Sequence, residues 1–296
     1  TKKIDVINTA MTSVNSHVIY DVAKSIPAGP STFAIILVGN NEVVGPYGPG
    51  TFNQTFLSNL SIIRLIQAIK RTRVWQAATV LAGNLNPKND KETLRWRGMQ
   101  MFTDNNVAFD DPRLETVYEH YENNLIDTVS RLQDKGIHVL LSSVPVNLRD
   151  SAPFSSQHPP GLSDDALNTL NRQRQYSAAR FKDQRWQDAV TALDAAKAID
   201  PNYADTHYRL GIAFEQLGQT NQSAGHFQQA LDLDTLRFRA DTQINERVRQ
   251  VAERFNDTAF SFVDSEMAFK RVSQPKPPGW NLLLEHVHYS FSGNYL

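Results

Sequence analysis

One set of residues in the second half of the chain recurs at a spacing of 34 residues, and this repeat restricts the fold more than any other feature. The recurring residues are small or apolar, and each set ends at an aspartate: Ala189, Leu193, Ala196 and Asp200 return as Ser223, Phe227, Ala230 and Asp234. Self-similarity at such a period is typical of stacked helical hairpins. The small residues in each set let paired helices approach closely. The repeat therefore predicts two helical hairpins packed side by side.

The period and the residue types resemble those of tetratricopeptide (TPR) repeats. Four residues between the two sets resemble the signature of the first helix of a TPR unit: Tyr208, Leu210, Gly211 and Phe214. Two repeats are fewer than the about three that a free-standing solenoid needs. We therefore expect residues 161–256 to form an all-α, TPR-like module that packs on the rest of the protein. The resemblance also implies a protein partner for the repeats.

Outside this region, short apolar runs alternate with amphipathic stretches. Residues 33–38 form an apolar run that stops at the turn Gly39-Asn40-Asn41-Glu42, which is typical of a buried strand. We predict further strands at residues 4–8, 137–143 and 259–264, and helices at 18–25, 57–72, 114–135 and 241–255. Strand, helix and strand in succession predict parallel strands.

The composition limits the classes of function. Hydrophobic residues make up 41% and charged residues 21%, which is typical of a globular protein. With 30 basic and 31 acidic residues, the net charge of −1 does not indicate nucleic acid or an anionic membrane as a partner. The absence of Cys excludes disulfides, thiolate catalysis and Cys-based zinc sites. No apolar run reaches the ~20 residues of a membrane span.

Three polar segments lie at predicted strand ends or in loops, where open α/β sheets hold their ligands. They are Gly39-Asn40-Asn41-Glu42, the turn around Ser13, and the pair Glu285 and His288. Taken singly, the first is also typical of an ordinary turn and the second of a helix N-cap. The third has the spacing of a metal-binding pair in di-iron helical bundles. The chain has no second pair of that kind, so we expect neither a metal nor a cofactor.

Together and in this order, the three segments resemble the conserved blocks of the SGNH (GDSL-type) hydrolases. The resemblance covers the α/β portion, about two thirds of the chain. It implies a flavodoxin-like, three-layer domain around a parallel sheet, formed by residues 1–160 and 257–296 and interrupted by the TPR-like module.

The resemblance also implies a role for each matching residue. The side-chain amide of Asn41 and the backbone N–H of Ser13, where the family usually has Gly, would stabilise an oxyanion. Gly39 would allow a backbone approach that a Cβ would obstruct. His288 would be the general base, oriented by Glu285 where the family usually has Asp.

Two further residues are candidates for substrate binding. Asn40 belongs to the same turn as Asn41. Arg149 follows a predicted strand, where it could bind a carboxylate or phosphate through two hydrogen bonds. The alternative for Arg149 is a structural pair with Asp150.

The chain contains no Gly-Asp-Ser block and no Gly-x-Ser-x-Gly elbow. We therefore expect the nucleophilic serine upstream of residue 1, on a first strand that this chain lacks. The expected function is a serine ester hydrolase or acyl-transfer enzyme that acts on O-acyl esters, including those of carbohydrates. We expect it to work outside the cytoplasm, in the periplasm or secreted. The alternative is a non-catalytic SGNH-like scaffold that binds or assembles proteins through its repeats.

Overall fold

The computed structural model describes residues 4–29, 31–51, 56–85, 102 and 105–296. In these residues the chain forms the following elements in order: α1 (Ser16–Ser25), β1 (Phe33–Ile36), α2 (Leu60–Lys70), α3 (Arg73–Leu85), α4 (Arg113–Gln133), β2 (His138–Ser142), α5 (Asp164–Lys182), α6 (Trp186–Ile199), α7 (Ala204–Gln216), α8 (Thr220–Asp232), α9 (Thr242–Glu253), β3 (Phe260–Val263), α10 (Ser265–Ser273) and a 3-10 turn (Gly293–Tyr295). The protein thus combines a small parallel sheet with a helical module.

The sheet has the order β1-β2-β3, and both strand pairs are parallel, as predicted. Phe33 aligns with His138 across the first pair, and Val139 aligns with Phe260 across the second. Helices α2 to α4 lie between β1 and β2 in sequence, and the helical module lies between β2 and β3. The carboxyl ends of all three strands therefore lie at one edge of the sheet.

One face of the sheet is covered by α1, α4 and α9. Ile36, Val139 and Leu141 point from the strands into a core cluster that includes Val129 of α4 and Val248 of α9. Burial of these apolar side chains stabilises the packing of the helices on the sheet.

The opposite face of β1 is exposed. Phe33 is 74% exposed and Ile35 is 76% exposed, although a parallel sheet is normally covered on both faces. Among the described residues, the third layer expected from the SGNH resemblance is therefore not present over β1.

The strand predicted at residues 4–8 is wrong for the described structure. Residues 4–10 form no helix or strand, and Ile4, Val6 and Ile7 are each more than 80% exposed. A strand requires a hydrogen-bonded neighbour, and no described segment pairs with these residues.

Helix boundaries follow local capping chemistry. The side chains of Asn59, Ser163 and Asp241 accept hydrogen bonds from the backbone N–H three residues on, so each of them starts a helix. Gly136 has a φ of +73° directly after α4, as a glycine at a helix C-terminus should. The helix predicted over residues 57–72 begins later, at Leu60, and ends at Lys70, where α3 soon follows.

The two helical hairpins keep the predicted repeat. All eight recurring residues are at most 2% exposed. The turn between the two helices of each hairpin has a residue at positive φ, Gln184 in the first and Gly218 in the second, and these residues also differ by one repeat length. Tyr208 and Ile212 of α7 pack against the core beneath the sheet, so the two repeats bury a further face on the α/β portion.

Candidate functional site

The backbone of the loop after β1 needs glycine at its first turn. Gly39 has a φ of +153°, and a Cβ there would lie 2.7 Å from Ile244 Cγ2 and 3.1 Å from Val144 Cγ2. Just before it, the Tyr121 hydroxyl donates a 2.7 Å hydrogen bond to the Val38 carbonyl. The loop therefore leaves the strand against a closely packed floor, which fixes the residues that follow.

The next two residues of this loop bond to different parts of the chain. Asn41 donates its side-chain amide to the carbonyl of Val14 at 3.2 Å. Asn40 accepts a 2.9 Å hydrogen bond from the backbone N–H of Ala240, beside α9. Asn41 is thus held against the turn that precedes α1, and Asn40 ties the loop to the end of the helical module.

Ser13 lies in that same turn. Its φ is +60°, an unusual conformation for a residue with a Cβ, and it is part-buried. Among the residues that the structure describes, none accepts a hydrogen bond from the Ser13 backbone N–H. The hydrogen bond from Asn41 to Val14 brings the two expected oxyanion donors into adjacent segments.

Glu42, the last residue of the same loop, binds the start of α1. Its carboxylate accepts hydrogen bonds from the Ser16 backbone N–H at 2.9 Å and from the Ser16 hydroxyl at 2.7 Å. It therefore caps the N-terminus of α1, where a negative charge is favoured. Burial nevertheless raises the pKa of Glu42 to about 7, because loss of hydration of the carboxylate outweighs the two hydrogen bonds from Ser16, which lower the pKa.

A buried polar cluster lies behind Glu42, and the sequence did not predict it. Asn124 of α4 donates its side-chain amide towards Ser16 Oγ and His17 Nδ1, each at 3.1 Å. The His17 ring lies 5.4 Å from the His120 ring. Burial lowers the pKa of His17 to about 3, so this imidazole is neutral. The sequence signal for this cluster is that polar residues, His120 and Asn124, interrupt the apolar stripe of α4.

The segment that contains Glu285 and His288 is a tight turn, closed by the Glu285 carboxylate. Glu285 Oε1 lies 2.6 Å from His288 Nδ1 and 2.6 Å from the His288 backbone N–H, which donates to it. Burial favours a higher pKa for Glu285, but the hydrogen bonds from His288 and the charge of His286 lower the pKa overall. The geometry is that of an acid that fixes the tautomer of a histidine.

The same carboxylate also contacts His286, through Nδ1 and Glu285 Oε2. The two histidines differ in their surroundings. The His286 ring packs edge-on against Phe154, with ring centres 5.0 Å apart, and burial lowers its pKa. The His288 side chain is 79% exposed, so the far side of its ring is open to a reactant.

The loop that follows β2 binds the turn that contains both histidines. Asn147 donates its side-chain amide to the Glu285 carbonyl at 3.0 Å, and its backbone N–H to the His286 carbonyl at 2.9 Å. Asn147 is fully buried. The Glu285–His288 turn therefore lies on the edge of the sheet to which β1 also points.

Two hydrogen bonds connect the two candidate segments through the loop before α9. Arg239 donates to the Asn147 carbonyl at 2.8 Å, and its neighbour Ala240 donates to Asn40. No hydrogen bond in the described residues joins Asn41 directly to His288. The structure thus places the expected residues at one edge of the sheet, in separate loops that share a support.

Arg149 forms the structural pair that was the alternative to substrate binding. Its guanidinium donates to both carboxylate oxygens of Asp150, at 3.1 and 2.9 Å. Gly279 packs against this pair, because a Cβ there would lie 2.1 Å from Asp150 Oδ2. The pair also raises the pKa of Arg149.

The described residues contain no group of three or more His, Asp or Glu side chains that could hold a metal ion. In the same residues, no helix is both long and apolar enough to cross a membrane.

Comparison with known proteins identifies the helical repeats. Residues 179–218 match a family model described as TPR repeat. This match covers the end of α5, all of α6 and α7, and the turn at Gly218. Comparisons with curated proteins and with solved structures gave no match. The TPR repeat suggests that the protein has a protein partner.

Proposed function

We propose that the protein is a serine ester hydrolase or acyl-transfer enzyme of the SGNH type. The observation that carries this proposal is the contact of 2.6 Å between Glu285 Oε1 and His288 Nδ1, with the remainder of the imidazole exposed. A histidine held by an acid on one side and open on the other is the arrangement that a general base requires.

In the proposed reaction, His288 Nε2 takes the proton of a serine hydroxyl while the serine oxygen attacks the carbonyl carbon of an ester. The negative charge that develops on the carbonyl oxygen is stabilised by the Asn41 amide and the Ser13 N–H. Collapse of the intermediate expels the alcohol, which receives the proton from His288. Water, activated in the same way, then releases the acid from the acyl-enzyme.

The nucleophile is proposed to be a serine upstream of residue 1. Among the described residues, β1 is an edge strand of the sheet, and Phe33 and Ile35 on one of its faces are exposed. A parallel strand paired with β1 would satisfy the free edge, and the helix that connects the two strands would cover the exposed face. The added strand would end on the same side of the sheet as Asn41.

The proposed substrates are O-acyl esters, including those of carbohydrates, by resemblance to the family. Asn40 and Arg149 are proposed to bind the substrate. Since Arg149 is engaged by Asp150, its free donor N–H groups rather than an unpaired charge would meet the substrate.

The test is hydrolysis of p-nitrophenyl acetate by the complete polypeptide that contains the upstream strand. We expect His288→Ala to lower kcat by on the order of 10³-fold or more, since the triad acts as a unit. His286→Ala is the discriminating variant, because this ring contacts the same carboxylate, and we expect a loss of less than about tenfold. Undiminished turnover in His288→Ala would refute the assignment, and the opposite ranking would give the role to His286.

The second candidate is a non-catalytic scaffold that binds a protein through the repeats. The observation in its favour is the TPR repeat match at residues 179–218. On the outer surface of α5, Asn168, Asn171, Arg172 and Gln175 line an open polar depression. Such side chains suit the backbone amides of an extended peptide. If this function holds, Arg172→Glu should weaken capture of the partner, while p-nitrophenyl acetate turnover by the complete polypeptide is absent.

A further inference from the structure

The two aspartates that end the repeats have equivalent surroundings. Asp200 and Asp234 are 0% and 2% exposed. Each uses one carboxylate oxygen to accept the backbone N–H two residues on, from Asn202 and from Leu236, both at 3.1 Å. This local bond starts the turn after each hairpin, and it leaves the other oxygen available for a second group.

In both repeats that second group comes from one stretch of the chain. Asp234 Oδ2 accepts a 2.9 Å hydrogen bond from the backbone N–H of Phe154, and Ser155 donates its backbone N–H to Oδ1 at 3.1 Å. Asp200 Oδ2 lies 2.7 Å from His158 Nδ1. The repeats therefore contact residues 154–158 at two points that are related by the repeat itself.

Helix α7 and the turn before it extend this contact. The Tyr208 hydroxyl donates to the Arg149 carbonyl at 3.0 Å, and the Asp205 backbone N–H donates to the Ser156 hydroxyl at 3.0 Å. The Tyr203 ring stacks on the His158 ring, with centres 4.3 Å apart and planes inclined by 19°. Main-chain hydrogen bonds combined with aromatic stacking are the contacts by which a protein binds a peptide.

The other side of this stretch supports the histidine turn. Phe154 packs on His286, and Asn147, two residues before Arg149, binds the Glu285 and His286 carbonyls. Arg239 joins the two sides, because it donates to the Asn147 and Ser151 carbonyls and pairs with Asp234. The stretch thus lies between the repeats and the Glu285–His288 turn.

We propose that the TPR-like repeats bind residues 149–158 of their own chain as an intramolecular ligand, and that this contact fixes the position of the Glu285–His288 turn. The repeats then act as a clamp on one half of the candidate site. Only the catalytic meaning of that turn rests on the proposed function. The contact itself is independent of any chemistry.

The test is hydrogen exchange measured by mass spectrometry on the full chain without substrate. The variant His158→Ala/Tyr208→Phe removes the ring stack, the contact with Asp200 and the hydrogen bond to Arg149. We expect exchange to rise about tenfold in residues 149–158 and also in the peptide that contains Glu285 to His288. Tyr176→Phe is the matched control, because Tyr176 is 48% exposed on α5 and its hydroxyl forms no hydrogen bond with a described residue.

Exchange that rises in residues 149–158 but not at the histidine turn would overturn the coupling. No difference from Tyr176→Phe in either peptide would overturn the clamp altogether. If the double variant loses helix content by circular dichroism, Tyr208→Phe alone is measured, with an expected rise of about three- to fivefold in both peptides. The expected exchange rates do not depend on esterase activity. The clamp can therefore be confirmed even if the proposed hydrolase function is refuted, and the two proposals fail separately.

Discussion

Two glycines in adjacent helices of the repeat module give a test in which the same substitution has opposite effects. Gly211 lies inside α7 and Gly225 lies inside α8. A Cβ on Gly211 would lie 2.9 Å from the Cγ and Cδ1 atoms of the Phe227 ring, whereas a Cβ on Gly225 would meet no atom within 4 Å. The perturbation is Gly→Ala at each position.

The magnitude follows from two opposing effects. Replacing glycine by alanine in a helix interior stabilises by about 1 kcal/mol, because the unfolded chain loses freedom. At Gly225 this is the whole effect. At Gly211 the added methyl overpacks against Phe227, which is 1% exposed and cannot move into solvent. Overpacking costs about 1–3 kcal/mol, and contact with several ring atoms places the cost at the upper end. Gly211→Ala should therefore destabilise by about 1–2 kcal/mol.

The assay is urea denaturation followed by the far-ultraviolet circular dichroism of the helices. The urea concentration at the midpoint should fall for Gly211→Ala and rise for Gly225→Ala. The free energies of unfolding of the two variants should differ by about 2–3 kcal/mol. In thermal denaturation this corresponds to a separation of several degrees for a chain of this size. Equal stabilisation by the two substitutions would show that α7 and α8 do not approach closely at Gly211, and the reasoning from the repeat would be wrong.

Two further predictions concern the loop after β1. Burial raises the pKa of Glu42 from 4.5 to about 7, so the charged carboxylate destabilises the folded state, by nothing below pH 4.5 and fully above pH 7. In denaturation experiments across this pH range, the free energy of unfolding of the wild type should fall by on the order of 3 kcal/mol relative to that of Glu42→Gln. A difference between the two proteins that does not change with pH would contradict the raised pKa. Tyr121→Phe leaves the Val38 carbonyl without its 2.7 Å hydrogen bond and should lower the free energy of unfolding by about 1–2 kcal/mol in urea denaturation. Unchanged stability of this variant would contradict the contribution of that hydrogen bond.

The repeat could be predicted from sequence because its signal is local and periodic. Close helix packing requires small residues at fixed positions, so Ala196 and Ala230 are recognisable without knowledge of the rest of the fold. The parallel strands were predictable for the same reason, since β1 and β2 are short apolar runs that end at turn residues. The strand at residues 4–8 failed because pairing depends on a neighbour that a local pattern does not identify.

The support of the candidate site was not predictable, because it is made of contacts between distant residues. Glu42 belongs to a candidate segment, but nothing in the sequence indicates that its carboxylate caps the helix that begins at Ser16. Asn147 likewise reads as an ordinary loop residue, although it holds the carbonyls of the histidine turn. Buried polar residues of this kind carry no periodicity of their own, so only the folded structure shows what they bind.

The two halves of the candidate site share the loop before α9 as a support, but their other contacts come from different parts of the protein. The Gly39–Glu42 loop is otherwise fixed by α1 and α4, through Ser16 and Tyr121. The Glu285–His288 turn is fixed through residues 147–158, which the repeats bind. Loosening the repeats, as Gly211→Ala should do, would therefore raise hydrogen exchange at the histidine turn and leave the titration of Glu42 unchanged. A shift of both together would mean that the module and the sheet unfold as one unit, and that the repeats exert no separate hold on His288.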